Sequence, residues 1–93
     1  MKVRVRVSYG GKAFDETIEG ADAEATVAAA RDKAAAALGW RGIALRAMTP
    51  LQFGQAAARL YNDEHDTDHE IPASVEEFLE FGQKTGIIEL LQA

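Results

Sequence analysis

The stretch Met1-Lys2-Val3-Arg4-Val5-Arg6-Val7-Ser8-Tyr9-Gly10-Gly11-Lys12-Ala13-Phe14-Asp15-Glu16-Thr17-Ile18-Glu19-Gly20 decides the fold. Val3, Val5 and Val7 alternate with Lys2, Arg4 and Arg6, the period-2 pattern of a strand with one buried face. Gly10-Gly11 suits the positive φ angles of a two-residue hairpin turn. Pairing across that turn sets Val7 opposite Phe14 and Val3 opposite Ile18 on one face. On the other face it sets Arg6 opposite Asp15 and Lys2 opposite Glu19. Apolar pairs thus meet on one side and opposite charges on the other, so register and pattern agree. Glu16 breaks the pattern, because it falls opposite Val5 on the apolar face. Either a bulge redirects it or that edge of the face is wet.

Downstream of the hairpin, a helix is expected over Ala23–Leu38. Asp22 is the N-cap, Glu24 lies in the first turn and Gly39 is the stop. Its stripe is Val27, Ala30, Ala34 and Leu38. The segment Trp40–Met48 alternates weakly and reads as a strand over 41–48, although only Ile43 is β-branched and a short helix competes with it. Thr49-Pro50-Leu51-Gln52 is a capping box with proline at the first helical position. The helix it opens is expected to bury Phe53, Ala57, Leu60 and Tyr61, and to stop at Asn62. Ser74-Val75-Glu76-Glu77 repeats the capping pattern for a third helix with the stripe Val75, Phe78, Leu79 and Gly82. Gly86 ends that helix, and Ile87–Leu91 reads as a terminal strand.

The expected architecture is a two-layer α+β domain over residues 1–93. Its N-terminal antiparallel hairpin is joined by one or two further strands and covered by about three helices, in the order ββα(β)ααβ. A chain of 93 residues supports one modest core, and its hydrophobic content of 47% is that of a globular protein. It contains no cysteine, which points to a reducing, cytoplasmic setting and removes thiol chemistry. The N-terminus lacks an unbroken apolar leader, and no later apolar run is long enough to span a bilayer, so no membrane association is expected.

The net charge of −5 is unevenly distributed. Residues 1–59 carry +3 and residues 60–93 carry −8, with no Lys or Arg between Arg59 and Lys84. An acidic surface of this kind repels phosphate backbones, so direct nucleic-acid binding is not expected. The basic face of the first strand, Lys2, Arg4 and Arg6, is accounted for by pairing with Asp15 and Glu19.

The chemically dense stretch is Asn62-Asp63-Glu64-His65-Asp66-Thr67-Asp68-His69-Glu70. Its two histidines, His65 and His69, are four residues apart, and on a helix that spacing aims two imidazoles the same way, as metal ligands require. Several residues around them are poor helix formers, however, and in an irregular segment the spacing has no fixed geometry. Asp66, Asp68 and Glu70 open like a calcium loop, but Ile71 occupies the position where such a loop needs glycine. No catalytic constellation is evident. Ser8 lies in the hairpin and Ser74 is used as a cap, and there is no nucleophile elbow, zinc-protease pair or phosphate-binding glycine loop.

The sequence therefore points to a non-enzymatic protein-binding domain, regulatory or adaptor in kind, without a cofactor. Asp63, Glu64, Asp66 and Asp68 would face a basic partner surface, and in one version they would mimic nucleic-acid phosphates. Phe81, outside the main stripe of its helix, is expected to be partly exposed and to make partner contact. Trp40 and Tyr61 are further candidate anchors, although Trp40 follows a helix stop and is expected to fold back onto the core. Two readings compete with the adaptor: a metal site or metal-dependent enzyme using His65 and His69, and a homo-oligomeric structural domain with open sheet edges.

Overall fold

The computed structural model describes residues 1–9 and 12–93. The expected turn at Gly10-Gly11 lies outside the described residues. The alternating segments form β1 (Lys2–Tyr9) and β2 (Lys12–Glu19), paired antiparallel with Val3 opposite Ile18, Val7 opposite Phe14 and Arg6 opposite Asp15. A third strand, β3 (Ile88–Gln92), joins the other side of β1 antiparallel, giving an open sheet of order β2-β1-β3.

No bulge redirects Glu16. It stays in register with Val5 on the helix-covered face, and its carboxylate lies 3.6 Å from the Lys33 ammonium of the helix above. The wet-edge reading of that position therefore holds. On the opposite, open face, Arg4 binds Asp15 with two hydrogen bonds, at 3.0 and 2.7 Å. Arg6 sits directly opposite Asp15 in register, yet it turns toward Glu89 of β3 at 3.9 Å. The hydrogen bond from Arg4, aided by its charge, holds the Asp15 carboxyl below the ordinary carboxylate range, against a smaller opposing effect of desolvation.

The first helix, α1 (Ala23–Leu38), starts where Asp22 accepts a hydrogen bond from the Ala25 N–H. It ends at Gly39, whose φ of 64° requires glycine. The segment expected as a strand over 41–48 is helical instead. A 3₁₀ turn (Gly39–Gly42) leads into the four-residue helix α2 (Ile43–Arg46). With Gly42 pressed against the backbone of Ala35, the chain folds back along α1 rather than extending toward the sheet. The lack of β-branched residues beyond Ile43 left little to oppose this.

The helix α3 (Pro50–His65) has both halves of its capping box. Thr49 Oγ1 accepts from the Gln52 N–H at 3.1 Å, and Gln52 Oε1 accepts from the Thr49 N–H at 2.9 Å. It does not stop at Asn62, as the sequence suggested, but continues to His65 and ends at Asp66 in the left-handed conformation. The helix α4 (Val75–Thr85) is capped by Ser74. Here the box is incomplete, because Glu77 Oε1 accepts from the Ala73 N–H rather than from that of Ser74.

The helices cover one face of the sheet, with α1 on β2 and β1, α4 on β3, and α3 packed on both helices. Val3, Ile18, Val27, Ala58, Phe78, Leu79, Phe81 and Ile88 form the buried core. Gly82 lets α4 approach β3 closely, since a methyl group there would fall 2.3 Å from Ile88 Cδ1. Among the described residues, no helix is long and apolar enough to cross a membrane.

Candidate functional site

Two regions stand out from the scaffold. The first is the acidic connection between α3 and α4, and Asn62 organises it. Its side-chain Nδ2 donates to the His69 carbonyl at 2.9 Å, and its Oδ1 accepts from the His69 N–H and the Thr67 hydroxyl, each at 3.0 Å. Its own carbonyl accepts from the Asp66 and Thr67 N–H groups. The residue read as a helix breaker thus latches the connection onto the last turn of α3, and Gln55 holds its far end by donating to the Pro72 carbonyl at 3.0 Å.

His65 and His69 each pack against Tyr61, and helical spacing does not align them. His65 lies on α3, whereas His69 lies beyond the left-handed residue Asp66. Tyr61 is stacked on His65 at 4.2 Å between ring centroids and lies 5.8 Å from His69. Phe81 closes the cluster edge-on, 5.5 Å from Tyr61 and 5.6 Å from His69. Among the described residues, no three His, Asp or Glu side chains converge as a metal-binding group.

Phe81, expected at the surface, is only 7% exposed. The inward face of α4 is wider than the stripe read from the sequence, because it packs on β3 along one flank and on the end of α3 along the other. Trp40, expected to fold inward, is 78% exposed. The 3₁₀ turn that seats Gly42 on α1 carries the indole outward, where the Arg41 guanidinium lies 5.4 Å from the ring centroid.

Asp63, Glu64, Asp66 and Asp68 are all exposed, as are Glu70, Glu76, Glu77 and Glu80. Among the described residues, none of these carboxylates pairs with a Lys or Arg; the ion pairs formed are those of Asp15, Glu16, Asp32 and Glu89. A shallow hollow of about 210 Å³ opens within this surface. Phe81, Pro72 and His69 line it together with Glu70, Glu77, Glu80 and Lys84.

The second region gave no signal in the sequence. A cleft of about 380 Å³ runs between the inner face of β1 and β2 and the helices α1, α3 and α4. The stripe Val27, Ala30, Ala34 and Leu38 does face inward, but much of it lines this cleft instead of closing the core, and Leu38 is 46% exposed.

No protein-family model, curated protein or solved structure matches the chain.

Proposed function

We propose that the chain is a protein-binding domain, regulatory or adaptor in kind, that docks a basic segment of a partner protein. The docking face runs from the last turn of α3 through the latched connection to the first turns of α4. The observation that carries this reading is the placement of unpaired carboxylates where the fold does not benefit from them. Asp63 and Glu64 occupy the carbonyl end of α3, which carries about half a negative charge, so the helix end repels them. Asp66 and Asp68 follow at once and repel both.

A partner rich in Lys and Arg relieves that repulsion and is steered by it during encounter. The hollow beside Glu70, Glu77 and Glu80 suits a single cationic side chain. Its ammonium or guanidinium head would meet carboxylates while its stem lies against Phe81 and Pro72.

The test is calorimetric titration of the full chain with a synthetic peptide of mixed Lys, Arg and apolar residues. Binding is expected to weaken steeply with added salt. It is also expected to be lost in a variant carrying Asp63→Asn, Glu64→Gln, Asp66→Asn and Asp68→Asn whose circular dichroism is unchanged. Affinity that is the same at low and high salt, or the same in that variant, would remove the reading.

A further inference from the structure

We infer that the cleft between the sheet and the helices is a binding site for an uncharged, apolar small molecule. Its walls come from Val5 and Phe14 of the sheet, Ala34 of α1, and Phe53, Ala56 and Leu60 of α3. Its depth reaches the fully buried Val3 and Val27. The space exists because alanine stands where larger side chains would close it. Ala30, Ala34 and Ala37 face it from α1, and Ala56 and Ala57 from α3. The cleft opens to solvent beside Leu38 and Leu60, which are 46% and 37% exposed, so it can be entered from outside.

The chemistry of the walls selects the ligand. Among the described residues, Thr26 is the only polar side chain in the lining. It is buried, and its hydroxyl already donates to the Asp22 carbonyl at 2.7 Å. Among the described residues, no charged side chain lines the cleft. A charged or strongly polar ligand would therefore leave water without gaining side-chain partners, whereas an apolar one loses nothing.

Volume decides the size. A cavity of about 150 Å³ is known to hold benzene, so about 380 Å³ corresponds to roughly fifteen non-hydrogen atoms. That volume lies within the range of about 300–1,000 Å³ typical of small-molecule pockets, which are likewise lined mostly by apolar side chains. Trp40 and Ile43, the most exposed large apolar side chains among the described residues at 78% and 69%, lie outside the lining, whereas Leu38 and Leu60 belong to it.

The probe is N-phenyl-1-naphthylamine, an uncharged fluorophore, titrated against the full chain at a concentration where light scattering gives the monomer mass. Saturable fluorescence enhancement with one site per chain is expected, displaced by 1-decanol. Two variants fill the cleft from opposite walls, Ala34→Phe from α1 and Ala56→Leu from α3. Each is expected to weaken binding by at least about tenfold while holding or raising the melting temperature, because each adds buried carbon to empty space. Trp40→Ala, outside the cleft, is expected to leave binding within about twofold.

Three results would overturn the proposal. One is the absence of saturable enhancement. Another is binding lost in Trp40→Ala but kept in a folded filling variant, which places the dye on the outer surface. The third is a chain that dimerises with the dye competing against assembly, which assigns the cleft to a second copy.

Discussion

Replacing Gly42 by alanine tests how closely the 3₁₀ turn is seated on α1. Gly42 has φ −74° and ψ −10°, an ordinary right-handed conformation that alanine adopts freely. The obstacle is space. A methyl group there would lie 2.0 Å from the Ala35 carbonyl oxygen and 2.6 Å from its Cα. To restore an ordinary contact of 3.4 Å, the turn must withdraw by about 1.4 Å. No rotamer change relieves the clash, because the opposing atoms are backbone. Overpacking typically costs about 1–3 kcal/mol, and a backbone neighbour puts this site at the upper end. At about 4–8 °C for each kcal/mol in a domain of this size, calorimetry should show a melting temperature lower by more than about 10 °C.

Gly39, three residues earlier, supplies the contrast. A methyl group there would meet nothing within 4 Å, but its φ of 64° with ψ −130° suits only glycine. Gly39→Ala should cost about 1–3 kcal/mol through backbone strain alone. D-alanine at the same position in a synthetic chain should recover that loss, because its backbone preferences are mirrored. A Gly42→Ala protein melting within about 3 °C of the parent would refute the packing argument. An L-alanine variant at position 39 as stable as its D-alanine counterpart would refute the strain argument.

Three further outcomes follow from the geometry. Asp63→Asn and Glu64→Gln should each raise stability by a few tenths of a kcal/mol at low ionic strength, read by urea denaturation, while weakening the basic peptide; a loss of stability would show that these carboxylates are paired after all. Phe81→Ala should destabilise by about 3–5 kcal/mol, as for a buried aromatic and unlike a surface contact residue, and a urea midpoint close to that of the parent would return Phe81 to the surface. The Arg4 pair depresses the Asp15 carboxyl below its ordinary value near 3.8, so its stabilisation is complete above that value and is lost as pH falls through the depressed one. The stability difference between the parent and Asp15→Asn should therefore be constant near neutral pH and shrink in acid; a difference that grows on acidification would contradict the pairing.

Much of the architecture could be read locally because the rules that set it are local. The alternation of β1 and β2 specifies register, since a slip of one residue would turn the valines Val3, Val5 and Val7 to water. Asp22 and Gly39 bound α1, and Thr49 and Gln52 open α3, each through hydrogen bonds or dihedral angles confined to a few neighbouring residues. The acidic stretch was equally plain as a run of charge. Its order was not, because Asn62 acts at a distance of five and seven residues on Thr67 and His69, which composition does not reveal.

What escaped the sequence shares one cause. Whether Trp40 turns inward or outward depends on where Gly42 meets Ala35, and whether Phe81 is buried depends on α3 lying along its helix. The segment 41–48 had too little β-branching to resist the turn that α1 imposes on it. The cleft has no sequence signal at all, because alanine marks close packing and open space alike, and only the distance to the facing wall separates them. Side-chain period and cap chemistry decide which elements form and which face each buries. The depth to which facing surfaces close, and hence the void between them, is decided by three-dimensional contact between residues far apart in the chain.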